Sequence, residues 1–248
     1  MNGITFYTPG GSAALDFAAK RLAQLGIAVT DKPGMDVTHC LLPVPTVFRE
    51  DLASMLRKLP ASVTLIGGNL PAELTERYPT IDLLQDSRYL AENAAITADC
   101  ALGRARQQMP ITFRDSTVLV LGWGRIGKCL AQLLKQAGAD VTVAARKESD
   151  VAMIRALGYG AEDLYKLHYG LLRYRVIFNT VPARVIAMHQ AVHCRDDCVM
   201  IDLASTPGIE GEKVIVARGL PGKDAPESAG MLIARTIIRL LLGREYPS

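Results

Sequence analysis

The chemically most informative stretch of the chain is VLVLGWGRIGKCLA, residues 118–131. An apolar, β-rich run leads into a Gly-x-Gly-x-x-Gly pattern, and a helical pattern leads out of it. The first glycine permits a tight turn, the second lets the backbone approach a pyrophosphate, and the third allows the helix to pack closely on the strand. The free N–H groups at the start of the helix favour phosphate. We therefore predict a dinucleotide site formed by Gly122, Trp123, Gly124, Arg125, Ile126 and Gly127.

The strand that follows, VTVAARK, ends in two cationic side chains. In most units of this kind an Asp or Glu about 20 residues after the glycine turn binds the ribose 2′-hydroxyl. Here that place holds Arg146, between Ala145 and Lys147. A guanidinium pairs bidentately with a phosphate, which a carboxylate would repel. The sequence therefore predicts NADP in preference to NAD. The alternative is that Arg146 is a solvated charge in an enzyme that accepts both.

Two further apolar strands end in short polar groups, at the edge of a parallel sheet where ligands bind. VIFNTVPA ends in Asn179 and Thr180, and VMIDLASTPG ends in Asp202. We expect the cofactor to contact the residues at these two strand ends: Asn179, Thr180, Val181, Pro182 and Leu203. The alternative for each is a turn with local hydrogen bonds, and for Asp202 it is a set of bonds to nearby backbone N–H groups.

These motifs lie in a chain whose apolar runs alternate with amphipathic stretches, a pattern typical of parallel sheets covered by helices. In the first part, strands are predicted at ITFYT, IAVT, THCLLPV, VTLIGG and IDLLQ, with helices over 12–25, 49–58 and 72–78. A long Ala-rich helix is predicted over 86–108. Beyond Pro110, strands are predicted over 117–121, 141–145, 175–179, 198–203 and 213–217, with helices over 125–137, 149–157, 183–191 and 227–242.

The predicted fold class is α/β, with two domains. A Rossmann doubly wound parallel sheet over residues 91–226 binds the dinucleotide. A second, smaller flavodoxin-like α/β domain covers residues 1–90 together with the C-terminal helix, 227–245. The long helices 86–108 and 227–242 are predicted to cross between the two domains. The alternative is that the last helix packs on the second domain.

Composition excludes several classes of function. The formal net charge of the 248 residues is only +3, so there is no global basic field that would indicate nucleic-acid binding. No apolar run approaches the roughly 18–20 residues that a membrane span requires. The first residues, MNGITFYTPGG, lack the pattern of a signal peptide, and five scattered cysteines favour a reducing compartment. We therefore expect a cytoplasmic enzyme.

The segment HQAVHCRDDC contains His189, His193, Cys194 and Cys198 at a spacing that a metal site can use. No second ligand pair stands elsewhere at matching spacing, so we predict no metal. The expected structure is a helix end and a turn, with Cys198 opening a buried strand. His168, near the middle of the second domain, is predicted to be a surface or packed residue and not a catalytic one.

The motifs LGWGRIG, AARK, NTVPA, IDLASTPG and GLPGKDAPESAG, in this order, resemble the family of the dipicolinate synthase A subunits. ENAAITADCALG resembles the crossing segment of that family, and LLPVP resembles a motif of its first domain. The likeness spans most of the chain and is strongest over residues 90–242. The glycine turn alone is shared by many dehydrogenases, whereas the last two loop motifs are far more specific.

The resemblance implies an oxidoreductase that makes dipicolinate in the mother cell of a sporulating bacterium. Its substrate would be a hydroxy-tetrahydrodipicolinate, a small dicarboxylate that loses water and then passes a hydride to NADP⁺. A flavoprotein-like B subunit is the implied partner, and such enzymes often form homo-oligomers. The architecture would be that of the D-2-hydroxyacid dehydrogenases.

The chain departs from the family pattern at three places in its motifs, and its first domain is shorter than is usual in the family. Asp99-Cys100 stands where Glu-Gly is common, Ile209 replaces a second glycine, and Glu227-Ser228 stands where Lys-Thr is usual. These differences affect the expected substrate more than the expected cofactor. The alternatives are an NADP-dependent enzyme for another small hydroxy or imino acid, and a non-catalytic NADP-binding regulatory protein.

A dicarboxylate requires cations or N–H groups to replace its lost water. Arg88, Arg104 and Lys223 are candidate cations, together with the backbone around Gly222. The catalytic residues themselves are not identified by any His–acid pair. The substrate-side candidates are Thr97, Asp99, Asp202, Ser205 and Lys223.

Overall fold

The computed structural model describes residues 3–243, apart from the side chains of His168 and Tyr169. Residues 244 and 245 of the predicted C-terminal helix lie outside the described residues. The chain forms two compact units, one of Met1–Asn93 with Pro221–Ser248 and the other of Ala94–Leu220. The first boundary lies inside a continuous helix, α4, Ser87–Gln108. Since no break in helical periodicity marks that place, the sequence pattern puts the domain boundary a few residues earlier.

The first unit contains a five-stranded parallel sheet with the strand order β2-β1-β3-β4-β5. This is the order of flavodoxin-like folds, in which the chain leaves β1 first to one side and later to the other. The strands are β1 Thr5–Tyr7, β2 Ala28–Thr30, β3 His39–Leu41, β4 Thr64–Gly67 and β5 Thr80–Asp82. The helices between them are α1 Ala13–Gln24, α2 Glu50–Leu56 and α3 Ala72–Thr75, and a 3₁₀ turn, Leu83–Gln85, precedes α4.

The C-terminal helix, α9, Pro226–Leu242, packs on α1 within this unit. The two backbones come close at Gly230, where an added Cβ would lie 2.5 Å from the carbonyl oxygen of Ala14 and 2.6 Å from Cβ of Phe17. Eight α9 residues are buried, including Leu232, Ile233 and Ile237. The apolar stripe of the last helix therefore completes the core of the first unit.

The second unit contains a six-stranded parallel sheet with the order β11-β10-β9-β6-β7-β8. Counted from β6, this is the doubly wound order of a Rossmann fold, so the predicted α/β class is confirmed. The strands are β6 Thr117–Leu121, β7 Asp140–Ala145, β8 Gly160–Asp163, β9 Val176–Asn179, β10 Val199–Asp202 and β11 Val214–Val216. The helices are α5 Arg125–Gln136, α6 Glu148–Ala156 and α7 Met188–Ala191, with 3₁₀ turns at Phe113–Asp115, Leu164–Tyr169 and Leu171–Arg173.

Three elements differ from the sequence prediction. The helix predicted over 183–191 is confined to Met188–Ala191, because Val185 and Ile186 donate their N–H groups to the carbonyl of Gly208. Strand β8 is absent from the prediction, since it lacks β-branched residues and lies at the edge of the sheet. The segment GLPGKDAPESAG contains a short helix, α8, Leu220–Asp224, where the Pro and Gly residues predict a loop.

Candidate dinucleotide-binding site

The glycine turn joins β6 to α5, and its conformation is constrained by contacts with Ala144, Thr180 and Gly127. Gly122 has a φ of +104°, a conformation that side chains rarely adopt, and its N–H donates to the carbonyl of Ala144 at 2.9 Å. A Cβ on Gly122 would lie 2.5 Å from Oγ1 of Thr180. A Cβ on Gly127 would lie only 2.1 Å from the carbonyl oxygen of Gly122. Glycine is therefore sterically required at the first and third positions of the motif.

The second glycine of the motif differs from the other two. Gly124 is exposed, caps the N-terminus of α5, and has no atom within 4 Å of the place where a Cβ would stand. Open space therefore lies beside the backbone at the start of a 12-residue helix. This geometry fits a pyrophosphate, which would approach the bare backbone and the free N–H groups of the first turn. Arg125 is exposed at the same helix end, and Ile126 is partly buried.

The ends of β9 and β10 are joined by a buried side-chain pair. Nδ2 of Asn179 donates to Oδ1 of Asp202 at 3.0 Å and to the carbonyl of Val181 at 3.1 Å, and Oδ1 of Asn179 accepts from the N–H of Val181. Neither side chain is exposed to solvent. The amide of Asn179 thus shapes the loop in which Val181 and Pro182 are predicted to contact the cofactor.

The carboxylate of Asp202 accepts four hydrogen bonds. Besides Asn179, the donors are the backbone N–H groups of Ala204 at 3.0 Å, Gly208 at 2.6 Å and Ile209 at 3.0 Å. Of the two roles that the sequence leaves open for Asp202, the structure shows bonding to nearby backbone N–H groups. The loop after β10, which contains Leu203 and the exposed Ser205, is therefore folded around this carboxylate.

Gly208 is a structural residue of this site that the sequence analysis does not identify. A Cβ there would lie 2.4 Å from Nδ2 of Asn179 and 2.6 Å from the carbonyl oxygen of Ala183. The signal available in the sequence is the Pro-Gly pair of STPG, which marks a turn but does not show what the glycine contacts.

Thr180 connects the same edge of the sheet to the glycine turn. Its N–H and its hydroxyl both donate to the carbonyl of Leu121, at 2.9 and 2.8 Å. The register places Leu121 opposite both Asn179 and Ala144. The strand ends at Leu121, Ala145 and Asn179, from which the sequence motifs begin, therefore lie side by side at the carboxyl edge of one sheet.

Arg146 and Lys147 directly follow β7 at this edge, and both are exposed. Within residues 3–243, neither side chain forms a hydrogen bond or an ion pair. The neighbouring strand β8 ends in two acids, with Asp163 opposite Ala145. The sequence prediction does not include these acids, because it does not include β8.

Both acids of β8 are engaged by other residues. Asp163 accepts from the N–H of Tyr165 at 2.9 Å and lies 3.6 Å from Nζ of Lys166. Glu162 binds the guanidinium of Arg173. The pKa of Arg173 is raised, chiefly by its hydrogen bond to the hydroxyl of Tyr174, and Glu162 adds to the rise. The two cations after β7 are therefore left available to an anion.

Trp123, the second residue of the turn, lies along α5. Nζ of Lys128 is 5.6 Å from the centre of the Trp123 ring, and the ring of Tyr159 packs edge-on at 6.1 Å. The indole thus contacts Lys128 of α5 and the ring of Tyr159.

The substrate-side candidates occupy different environments. Thr97 is buried and Asp99 exposed, both on α4 in the second unit, where Asp202 is buried and Ser205 exposed. Lys223 is exposed on α8 and belongs to the first unit. The side chain of His168 lies outside the described residues.

Across the described residues there is no group of three or more His, Cys, Asp or Glu side chains arranged to hold a metal. The hydrogen bond between the two thiols lowers the pKa of Cys194 and, together with burial, raises the pKa of Cys198. Nor does any helix between residues 3 and 243 have the length and apolar character of a membrane span.

Comparison with known proteins identifies relatives over most of the chain. Residues 83–191 match the NAD-binding domain of D-isomer specific 2-hydroxyacid dehydrogenases. The dipicolinate synthase A subunit of Bacillus subtilis is 27% identical, over 86% of this chain and 80% of the relative.

Solved structures agree with this result. The dipicolinate synthase A subunit of Bacillus halodurans is 25% identical with a TM-score of 0.79, over 96% of this chain and 98% of that one. The Bacillus subtilis protein superimposes with a TM-score of 0.82 at 22% identity, over 98% of this chain and 97% of that one. A D-lactate dehydrogenase from a Sporolactobacillus species shares the fold, with a TM-score of 0.61 at 14% identity over 97% of each chain.

The resemblance predicted from the loop motifs is confirmed by relatives that carry the same name, found by sequence and by structure. The chain is thus a dehydrogenase-type oxidoreductase with a domain for a nicotinamide cofactor, and a relative of the dipicolinate synthase A subunits.

Proposed function

We propose that this protein is the NADP-dependent A subunit of a dipicolinate synthase. It would oxidise dehydrated 4-hydroxy-tetrahydrodipicolinate to dipicolinate, in the mother-cell cytoplasm of a sporulating bacterium. The names of the relatives support the reaction. Because those names describe one subunit of an enzyme, they also support a partner, for which we propose a flavoprotein-like B subunit. A homo-oligomer of this chain is part of the same proposal.

The observation that carries the cofactor assignment is the pair of cations after β7, which no described residue engages. A 2′-phosphate bound there would be contacted by the guanidinium of Arg146 and the ammonium of Lys147. The acids of β8 are already paired with Arg173, Lys166 and a backbone N–H. Arginine suits this role because its planar fork pairs with two phosphate oxygens at once.

The bound nicotinamide would supply the hydride acceptor, and the protein supplies position and electrostatics. Gly124 and the first turn of α5 would hold the pyrophosphate. Asn179 and Asp202 would act as positioning residues, because their buried bonds fix the loops after β9 and β10. Thr97, Asp99, Ser205 and Lys223 remain candidates on the substrate side.

The cofactor assignment is tested by Arg146→Asp. Losing a charge-assisted phosphate pair should weaken NADP binding by about 1.5–3 kcal/mol, whereas NAD binding should change little. Titration calorimetry with both dinucleotides measures this difference. Arg155→Asp, which changes an exposed arginine in the last turn of α6, is the matched control and should leave both affinities unchanged. Equal weakening of NADP and NAD by Arg146→Asp would refute the assignment.

The reaction is tested by supplying freshly made hydroxy-tetrahydrodipicolinate and NADP⁺ to the chain, with and without a B subunit. The appearance of dipicolinate absorbance supports the proposal. Turnover of another small hydroxy or imino acid would indicate a related dehydrogenase. NADP binding with no turnover on any cyclic dicarboxylate would indicate a regulatory protein.

A further inference from the structure

We infer that a cavity within the first unit binds a small amino or imino acid, with Arg49 contacting a carboxylate and Asp51 contacting the cationic nitrogen. The cavity has a volume of about 400 Å³ and lies between the loop after β1, the loop after β3 and the first turns of α2. This volume is within the range of small-molecule sites, roughly 300–1,000 Å³. None of the site residues predicted from the sequence lies in it, although Pro43 belongs to the motif LLPVP.

The position of the cavity follows from the topology of the sheet. Strand β1 lies between β2 and β3, so the chain leaves β1 towards one side and leaves β3 towards the other. The loops after these two strands separate and open a crevice at the carboxyl edge, which is where ligands bind in open parallel sheets. Gly10 and Gly11, with φ of +73° and +90°, form the wall that follows β1.

About half of the lining surface of the cavity is apolar, and the lining contains two opposite charges. Pro43 and Leu52 contribute apolar surface, and Arg49 and Asp51 are the charged residues of the lining. Among the described residues, the side chains of Arg49 and Asp51 form no hydrogen bond and no ion pair. Glu50, which stands between them, is instead paired with Arg57 at 3.0 Å.

This charge arrangement defines the class of ligand. A guanidinium in a partly apolar cavity favours a carboxylate, because two N–H groups can replace the water that the carboxylate loses. The carboxylate of Asp51 favours a protonated nitrogen by the same argument. A molecule that carries both groups on a small apolar frame satisfies the cavity, whereas a simple dicarboxylate leaves Asp51 unpaired.

The inference rests on the proposed function only for the choice of ring. A cyclic imino dicarboxylate, the proposed substrate, has a carboxylate next to a basic nitrogen, so a stable analogue is a direct probe. Piperidine-2,6-dicarboxylate carries both groups at neutral pH, and cis-cyclohexane-1,3-dicarboxylate lacks the nitrogen.

The test is titration calorimetry of the full chain with these two diacids. The piperidine diacid is expected to bind the unchanged protein at least tenfold more tightly than the cyclohexane diacid. Arg49→Gln should weaken binding of the piperidine diacid at least tenfold, and Arg49→Lys, which keeps the charge, should restore part of the loss. Asp51→Asn should weaken the piperidine diacid until the two ligands bind equally. Arg57→Gln, at the C-terminal cap of α2, is the matched control and should change neither affinity.

Absence of binding by the piperidine diacid would overturn the inference, as would an affinity that Arg49→Gln leaves unchanged. The outcome is independent of the cofactor site, because Arg49→Gln should leave NADP affinity intact. If the chain failed to bind NADP or to form dipicolinate but still bound the piperidine diacid through Arg49, the proposed function would fail and this inference would stand.

Discussion

Nδ2 of Asn179 lies 3.0 Å from Oδ1 of Asp202, and the two residues are register partners at the ends of the adjacent strands β9 and β10. Both side chains are fully buried. The remaining hydrogen bonds of Asp202 come from backbone N–H groups of the following loop. The pair therefore holds the ends of both strands and the loop after β10 in a defined conformation. Loops that would border a dinucleotide are thereby shaped before any ligand binds.

Asp202→Asn tests this role. All four partners of Asp202 are donors, so an amide can satisfy only some of them and presents its own N–H groups to the rest. Unsatisfied buried donors cost about 1–3 kcal/mol each, and we expect a loss of about 2–3 kcal/mol in the free energy of unfolding. Urea denaturation measures the loss, and titration calorimetry should show weaker binding of both NADP and NAD in parallel.

Asp196→Asn is the control for that change, because Asp196 is exposed and lies before β10. Its free energy of unfolding in urea should remain within about 0.5 kcal/mol of the unchanged protein. A stable Asp202→Asn protein with normal dinucleotide affinity would show that the buried carboxylate does not organise the loop.

Local patterns in the sequence are sufficient to predict much of the second unit. The strands β6, β7, β9 and β10 have strong apolar character, and the glycine motif is typical of a turn between a strand and a helix. The positions of these elements are therefore predicted to within one or two residues. The roles of Gly122 and Gly127 follow from the motif, and the structure adds the atoms that exclude a Cβ.

The features that the sequence does not predict depend on contacts between distant segments. The predicted helix does not begin at residue 183, because the backbone there is hydrogen-bonded to Gly208. Residues 160–163 form β8 because they pair with β7. The cavity at Arg49 is formed by two loops that are far apart in the chain. Local sequence patterns do not indicate such contacts, because each contact depends on the topology of the sheet.

Gly124→Ala and Gly127→Ala form a matched pair of changes within one motif. A Cβ on Gly127 meets a backbone oxygen at 2.1 Å, so the helix or the turn must move, and such overpacking costs typically about 1–3 kcal/mol or more. A Cβ on Gly124 meets no described protein atom within 4 Å, so Gly124→Ala should cost only the difference between Gly and Ala at the N-cap of α5, about 1 kcal/mol or less.

The two changes should therefore separate stability from binding. Gly124→Ala is expected to weaken NADP and NAD together, because its methyl group would occupy the space proposed for the pyrophosphate. Urea denaturation and dinucleotide titration distinguish the two effects. Normal dinucleotide affinity in Gly124→Ala would place the pyrophosphate elsewhere, and normal stability in Gly127→Ala would contradict the close packing.

The ion pair between Asp86 and Arg239 should make the stability of the first unit depend on acid pH. Asp86 precedes α4, accepts from the N–H of Tyr89 at 2.7 Å, and lies 2.7 Å from the guanidinium of Arg239 on α9. Burial acts to raise the pKa of Asp86, but the bonds from Arg239 and Tyr89 outweigh it and lower the pKa below 3.8. A lowered folded-state pKa means that the stabilisation is present above pH 3.8 and is lost as the pH falls through the folded-state value.

Arg239→Gln should accordingly cost about 1–2 kcal/mol at pH 7, since the pair is largely shielded from water but keeps some solvent contact. The difference from the unchanged protein should persist down to about pH 4 and narrow only below the ordinary carboxyl pKa of 3.8, where Asp86 becomes protonated. Urea denaturation at several pH values measures both effects. Arg57→Gln removes an ion pair whose side chains are 58% and 79% exposed, so it should cost little at any pH. A difference for Arg239→Gln that is the same at pH 7 and pH 3 would show that Arg239 stabilises the unit through the packing of its aliphatic part and not through the charge of Asp86.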